Sequence, residues 1–591
     1  MPIARLTKSF IRQHASSQSF ERGEEYYRHN AVNNLVERGS LITAEVEGSN
    51  YEPYVISISF DEGGVTDANC SCPYDWGGWC KHIVAVLLTC TNKPEQIEKR
   101  PTIEQMMANL TLEQLKSLLK SLVANQPELI NSLDREITLL QAKSTQKTKS
   151  SRHTSIDPKP FKQQVKYILS KVEDYDEVQP ALDKISNLVQ KAQEFTDQGD
   201  GKNAMLILEA ITDAYVEGWT SLDASDGSTG EIFTELEEAL TLAILSAQLS
   251  KEERKEWKAK VKAWQSKIED YGMEETFETT ILAIEQHWDY APLVKILSGD
   301  ITSKSSSKNQ SGYFDSSLTS FRLNILENQK RYQEYLYLAQ AEGLTESYLT
   351  MLVKLGRAEE AVEKALKSLV MPQEALALAK ALRDQGKVSE ALSIAEHGLN
   401  LKKDRDMAIG QLAIWTSDLA EGLDHKDKAL KARIIAFNTN PTLEDYIKAK
   451  ELTEVAEWSK LRKTLLAKMN KSDNAFSTEE KVDIYLHEKM IDEAIAFVEK
   501  LDLYNSEPIQ KVMDAAIEKR PDWVIKNASE RAFSIIDSGR HHQYSLAIEW
   551  LKRVRNALVK INKEKDWKTL RSQLLQKHSK KIKLRGMLES L

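Results

Sequence analysis

The chain has 591 residues and a formal net charge of −9, with 80 lysines and arginines against 89 aspartates and glutamates. This length is sufficient for several domains, and the acidic balance excludes a protein that binds polyanions over its whole surface. The first eighteen residues lack the apolar core of a secretory signal, and no stretch approaches the roughly 18 apolar residues of a membrane span. We therefore expect a soluble, cytoplasmic protein with no membrane association, in which any nucleic-acid surface is local.

The first hundred residues change from a helical to an alternating hydrophobic pattern. Residues 7–30 carry two helical patterns, the second of which is expected to begin at Ser19. Ile42–Glu47 and Tyr54–Phe60 then alternate as half-buried strands do. The sequence therefore predicts a small α+β domain over residues 1–95, with too few residues for a large core.

Three of the four cysteines of the chain lie within about ten positions, beside a histidine: Cys70, Cys72, Cys80 and His82. Three thiolates and one imidazole are a ligand set that suits tetrahedral Zn²⁺. The alternatives are a disulfide or buried free thiols, but a bridge between Cys70 and Cys72 would be strained and disulfides are rare in the cytosol. Because four protein ligands leave no open position for water, the predicted zinc site is structural rather than catalytic.

The spacing Cys70-x-Cys72, seven residues, Cys80-x-His82, followed by the apolar run Ile83–Leu88, resembles the SWIM zinc finger. The preceding helix and strands resemble those before the finger in bacterial SWIM-domain proteins, and the likeness covers roughly residues 7–92. It implies a zinc-stabilised module that binds DNA or protein partners, and it implies no catalytic activity. SWIM modules also accompany helicase-like ATPases, which makes such an ATPase a candidate partner.

Three residues of the finger are candidate nucleic-acid contacts. Lys81 can reach a phosphate, and the aromatic side chains of Tyr74 and Trp76 can stack on exposed bases. The alternative for an aromatic residue here is packing over the zinc site, which we expect for Trp79. Cys90 lies about two helical turns beyond His82, too far to join the same metal, so we expect a buried free thiol there.

The rest of the chain has mainly helical periodicity. We expect a helical extension at residues 96–142, a flexible basic linker at 143–160, helical hairpins at 161–298, a second linker at 299–317 and helical repeats at 318–591. The predicted fold class is therefore mainly α, with a small α+β zinc-finger domain at the N-terminus followed by helical hairpins and a TPR-like α-solenoid.

The repeat region places alanine at a recurring position, as in Ala361, Ala391 and Ala494. Small residues let neighbouring helices approach closely, and the pattern resembles tetratricopeptide repeats in degenerate form. Stacked helix pairs commonly leave an extended surface for protein partners. The alternative is an irregular helical array without a binding groove.

Residues 551–591 carry thirteen basic and three acidic residues, with apolar residues at helical spacing. A phosphate-facing surface is one interpretation. We favour the other, a basic helical face that is solvated or paired with an acidic stretch of the same chain.

Catalytic signatures are absent from the sequence. It has no phosphate-binding loop, His487-Glu488 lacks the second metalloprotease histidine, and no Gly-x-Ser-x-Gly elbow occurs. We therefore expect a non-enzymatic protein with no small-molecule substrate. The first hypothesis is association with nucleic acid, DNA foremost and RNA as the alternative, through or beside the finger. The second is a protein adaptor in which the finger is structural and the repeats recruit a partner.

Overall fold

The structure is a computed structural model. The residues that it describes are 6–48, 53–74, 77–108, 110–125, 156–172, 177–222, 227–302, 312–401, 407–471, 478–501 and 506–591. Over these residues the chain is mainly helical, with a small sheet near the N-terminus, and this confirms the predicted mainly α fold class. The likeness of the repeats to tetratricopeptide repeats stays a prediction. Two compact units are present. The first unit comprises Met1–Thr102, Val370–Leu376 and Val388–Leu591, and the second comprises Ile103–Leu369 and Ala377–Lys387.

The sheet belongs to the N-terminal domain, residues 6–102, of the first unit. Its strands are β1 Val32–Arg38, β2 Leu41–Val46, β3 Tyr54–Asp61, β4 Gly64–Cys70 and β5 Glu98–Lys99, in the order β4-β3-β2-β1-β5. Neighbouring strands are antiparallel except for β1 and β5. Alternate residues of β2 and β3, among them Val46 and Ile56, are fully buried, as the alternating pattern predicts.

Three helices complete this domain: α1 Lys8–Gln13, α2 Ser17–Arg28 and α3 Lys81–Asn92. Helix α3 packs against the sheet, and α1 and α2 pack against α3. Helix α2 begins at Ser17 rather than at the expected Ser19, because Ser16 is the N-cap and its side chain accepts the backbone N–H of Ser19. Gly23 allows α2 to lie directly against α3, since a Cβ there would be 2.4 Å from the side chain of Val84. This contact brings one face of α2 beside the start of α3.

The second unit is helical throughout the part that the structure describes. Its helices are α4 Ile103–Met107, α5 Leu112–Asn125, α6 Lys159–Leu169, α7 Val178–Asp197, α8 Gly201–Gly218, α9 Ser228–Ser246, α10 Lys251–Ile268, α11 Glu278–Glu285, α12 Ala291–Leu297, α13 Gly312–Asn328, α14 Tyr332–Ala341, α15 Thr345–Lys354 and α16 Ala358–Ser368. Helix α17, Pro372–Asp384, contributes residues to both units. Helix α6 begins inside the predicted 143–160 linker, whose residues 143–155 lie outside the described residues.

The first unit continues with helices after α17. They are α18 Val388–Leu399, α19 Met407–Gly422, α20 Lys426–Thr439, α21 Leu443–Leu452, α22 Val455–Lys471, α23 Thr478–His487, α24 Ile491–Val498, α25 Ser506–Ala516, α26 Pro521–Asp537, α27 Tyr544–Lys560, α28 Glu564–Lys577 and α29 Ile582–Glu589. Ala361, Ala391 and Ala494 are fully buried, as expected at close-packing positions. No helix in the described ranges combines the length and the apolar character needed to cross a membrane.

Several bases of the C-terminal region form ion pairs within the first unit. Arg553 pairs with Asp514 at 2.7 Å, and Lys577 pairs with Asp537 at 3.0 Å. For these side chains, the structure agrees with the interpretation in which the basic region pairs with acidic residues of the same chain.

The carboxylate of Glu237 in α9 is expected to make the stability of the second unit depend on pH. Burial raises the pKa of Glu237 from 4.5 to about 7, although its carboxylate accepts the backbone N–H of Thr279 at 2.8 Å. In the folded state, Glu237 therefore binds its proton more tightly than in the unfolded chain. As a result, the free energy of unfolding falls as the pH rises from about 4.5 through 7. At about 1.4 kcal/mol per pKa unit, the loss is on the order of 3 kcal/mol.

Glu237→Gln is therefore expected to flatten this pH dependence. Hydrogen exchange in α9 and α11, measured at pH 5 and pH 8 after correction for intrinsic rates, checks this result. The exposed neighbour in Glu238→Gln is the matched control and should keep most of the wild-type slope, because the charge of Glu238 adds less than burial does to the raised pKa of Glu237. An equal slope in all three proteins would contradict the role of Glu237.

Candidate metal centre

The four predicted zinc ligands lie where β4 ends and α3 begins. Cys70 is the last residue of β4 and pairs with Ile56 of β3. Cys80 is the N-cap residue of α3, and His82 lies in its first turn. Because the residues of α3 that follow His82 are buried in the domain core, this first turn is held in place against the end of the sheet.

The side chains of Cys70, Cys72, Cys80 and His82 converge. Their ligand atoms all lie within 4.8 Å of one another. Cys70 Sγ is 3.6 Å from His82 Nδ1, and Cys80 Sγ is 4.0 Å from the same nitrogen. With Zn–S bonds of about 2.3 Å and Zn–N bonds of about 2.0 Å, neighbouring ligand atoms of a tetrahedron are about 3.5–3.8 Å apart. The cluster is therefore compatible with a zinc ion whose histidine ligand atom is Nδ1.

The environment of the His82 ring also fits a metal ligand. The residue is 2 % exposed, and its ring is stacked on Tyr54 at 4.5 Å and meets Tyr26 edge-on at 5.3 Å. Its Nε2 atom has no hydrogen-bond partner among the described residues. A metal bond at Nδ1 would place the proton on Nε2, and its energy would offset the cost of burying that N–H without an acceptor.

Hydrogen bonding and burial separate the pKa values of the three thiols. A hydrogen bond with Cys70 lowers the pKa of Cys80 to about 4, and the same interaction raises the pKa of Cys70. Burial raises the pKa of Cys72. Since zinc binds thiolates, loading the cluster displaces protons from Cys70 and Cys72, and zinc affinity is expected to weaken as the pH falls.

The candidate nucleic-acid contacts differ in their surroundings. Lys81 is half-buried, with its Nζ atom 5.0 Å from the centre of the Tyr26 ring. Tyr74 is half-buried and its hydroxyl donates to the carbonyl oxygen of Gly77 at 3.2 Å. Trp76 lies outside the described residues.

Trp79 and Cys90 have structural surroundings. Trp79 packs against the domain, but its partner is the end of α1 rather than the expected zinc site. Its ring is stacked on that of His14, with the ring centres 4.7 Å apart. Cys90 lies in α3 outside the four-residue cluster, and its burial raises the pKa of the thiol to about 12. It is the buried free thiol that the spacing predicts.

A cleft of about 270 Å³ lies beside the cluster. It is lined by Gln18, Ser19, Arg22, Tyr54, Cys72, Pro73, Tyr74, Cys80, Lys81 and His82. Arg22 is exposed on α2 and adds a second cation to that of Lys81. The sequence alone does not indicate a role for Arg22, because only the packing of α2 against α3 brings this residue to the finger.

The model of the SWIM zinc finger family matches residues 54–90, a range that contains all four predicted ligands. Among curated proteins, "Zinc finger SWIM domain-containing protein 8 homolog" of Drosophila melanogaster is 26% identical over 117 residues. "Zinc finger SWIM domain-containing protein 8" of Homo sapiens is 26% identical over 119 residues. Each match covers 20% of this chain and only 6% of the relative's length.

A solved structure described as "Circular tandem repeat protein with novel repeat topology and enhanced subunit contact surfaces" is 14% identical. The match covers 73% of this chain and 94% of that chain, with a TM-score of 0.13.

Proposed function

We propose that this chain, which carries a SWIM zinc finger and a helical-repeat scaffold, is a non-enzymatic protein that binds nucleic acid, DNA foremost, beside the finger. The observation that carries the proposal is the cleft at the ligand cluster, where Arg22 and Lys81 lie together with Tyr74. The match to the SWIM zinc finger family agrees with the finger that the sequence predicts. A cytoplasmic location stays a prediction.

The chemistry of the cleft suits a phosphate beside an unstacked base. The guanidinium of Arg22 offers paired donors that match the oxygens of a phosphate, and the ammonium of Lys81 adds a second positive charge. The face of a tyrosine ring accepts any base, so this contact would be tolerant of sequence. Because the whole chain carries a net charge of −9, binding must depend on local cations of this kind.

Arg22→Ala is expected to weaken nucleic-acid binding about tenfold and to reduce the slope of log K against log salt by about 1, as for the loss of one phosphate contact. Fluorescence anisotropy with labelled single- and double-stranded DNA and RNA, at several salt concentrations, measures both quantities. Arg28→Ala is the matched control, because Arg28 is an exposed arginine of α2 that pairs with Glu24 and does not line the cleft.

Zinc content must stay the same in both variants, since neither arginine is a ligand. Equal losses in Arg22→Ala and Arg28→Ala would show a non-specific charge effect and would contradict the cleft. Failure of the wild-type protein to bind any of the four nucleic acids would refute the proposed function itself.

The second candidate function is a protein adaptor, with a helicase-like ATPase as the partner that the SWIM resemblance suggests. A cleft of about 310 Å³ in the second unit supports it, with Ala339, Leu344 and Tyr348 among its lining residues. Binding there would bury apolar surface. It would be comparatively insensitive to salt, because the two lysines that line the cleft, Lys364 and Lys367, already contact Tyr348 and Glu363. Salt dependence therefore distinguishes the two functions.

A further inference from the structure

We propose that helices α19–α21 form a docking surface for the N-terminal domain of the same chain, and that zinc in the finger stabilises this docking. All these residues belong to the first unit. This docking does not require that the protein bind nucleic acid.

The side chain of Lys448 in α21 lies at the centre of the contact. It is 1% exposed, and its Nζ atom pairs with Glu421 of α19 at 2.6 Å. The same atom donates to Thr7 Oγ1 at 2.9 Å and to Ser9 Oγ at 3.3 Å. A buried ammonium is costly unless hydrogen bonds satisfy it, and two of these acceptors come from the N-terminal domain. Docking of the N-terminal domain therefore offsets part of the free-energy cost of burying the Lys448 ammonium.

The two surfaces also approach each other at the level of the backbone. Gly63 lies in the turn between β3 and β4, and Gly422 is the last residue of α19. A Cβ atom on Gly422 would lie 2.2 Å from the carbonyl oxygen of Gly63. The fit between the hairpin and the end of α19 therefore depends on a glycine at position 422.

The loop that carries the zinc ligands is attached to the same interface. The backbone N–H of Trp79, next to Cys80, donates to the carbonyl oxygen of His14 at 2.6 Å. A Cβ on Gly78 would lie 2.8 Å from that oxygen, so the loop is in close contact with the end of α1. The His14 Nε2 atom is in turn 3.9 Å from Asp418 Oδ2 of α19. The loop, α1 and α19 thus form a continuous series of contacts.

Zinc would act on this series through the two ends of the loop. Coordination by Cys72 and Cys80 would fix the two ends of the loop, and this restraint favours the contact of Trp79 with α1. Because α1 is preceded by Thr7 and contains Ser9, ordering it favours the hydrogen bonds with Lys448. Linkage is reciprocal, so a change that weakens docking must also weaken zinc binding.

Lys448→Met in the full chain tests the reciprocal effect, because this residue is 441 positions away from Thr7 in the sequence and is not a ligand. We expect a roughly tenfold loss of zinc affinity, the equivalent of about 1.4 kcal/mol. A competition titration with a chromogenic chelator measures it. We also expect faster hydrogen exchange in α1 and α21. Lys450→Met is the matched control, because Lys450 is exposed on the same helix and its Nζ lies over the ring of Trp458.

Ser9→Ala tests the contact from the other side without altering α21, and a smaller loss in the same direction is expected. Removal of zinc by chelation from the wild-type protein should raise exchange in α21. Unchanged exchange in α1 and α21 of Lys448→Met would overturn the docking surface. Faster exchange with unchanged zinc affinity in both variants would overturn the linkage to zinc. Neither result bears on nucleic-acid binding, which the Arg22 variants test separately.

Discussion

Cys80→Ser is expected to abolish zinc binding and to unfold much of the N-terminal domain. Cys80 is 3 % exposed, begins α3 and is the ligand that joins the loop to the helix. A serine hydroxyl does not replace a thiolate as a zinc ligand. Apparent binding energies of roughly 10–16 kcal/mol at structural zinc sites are folding energies, so a small domain that loses the ion loses much of its stability.

Native mass spectrometry and hydrogen exchange measure the two effects of Cys80→Ser. The bound zinc should be lost, and protection should fall in β3, β4 and α3. Helices α8 and α9 of the second unit should keep their protection, because their core consists of residues of that unit. The same metal content in variant and wild type would contradict the assignment of Cys80 as a ligand.

Cys90→Ala is the matched control for the loss of a buried thiol. Cys90 lies in the same helix as His82 and is 1% exposed, but it is not one of the four clustered residues. We expect this variant to retain zinc with at most a moderate loss of stability. Equal zinc loss in Cys90→Ala and Cys80→Ser would show that the metal content reports the folding of α3 rather than the ligand set.

The strands that the sequence predicts are those with one buried face and one partly exposed face. β2 and β3 lie inside the sheet, and their alternation of apolar and polar residues is visible in the sequence. β4 is an edge strand with few buried side chains, and the asparagines of β1 interrupt its apolar pattern, so neither strand was predicted. Pairing with a neighbour, rather than their own periodicity, makes these segments strands.

The predicted parts of the candidate site are those that are close in sequence. The four ligands are separated by at most twelve positions, and the chemistry of thiols and imidazole is evident without a fold. Arg22, His14 and Lys448 resemble ordinary helix residues in the sequence. Only tertiary packing brings Arg22 to the finger and places Lys448 against Thr7, so no local pattern could identify their roles.

Arg433→Met is expected to destabilise the first unit by about 3–5 kcal/mol. Arg433 in α20 is fully buried, and its guanidinium donates to Asp445 at 2.8 Å, to Asp418 and to Ser417 Oγ at 3.2 Å. Asp445 and Asp418 have side chains that are only 4% and 13% exposed. Removal of the cation leaves two buried carboxylates without their charge partner, whereas methionine fills much of the same volume.

Chemical denaturation, followed by hydrogen exchange in α19–α21, measures this loss of stability. Lys428→Met in the same helix is the matched control, because Lys428 forms a partly exposed pair with Glu396 that should contribute less than about 1 kcal/mol.

Arg433→Met combined with Asp418→Asn and Asp445→Asn should recover part of the loss, since neutral amides are less costly to bury than unpaired carboxylates. If Arg433→Met costs no more than Lys428→Met, the buried network contributes little. If the triple variant recovers nothing, the loss comes from packing rather than charge. Since Asp418 also faces His14, a large loss in Arg433→Met should be accompanied by weaker protection of α1.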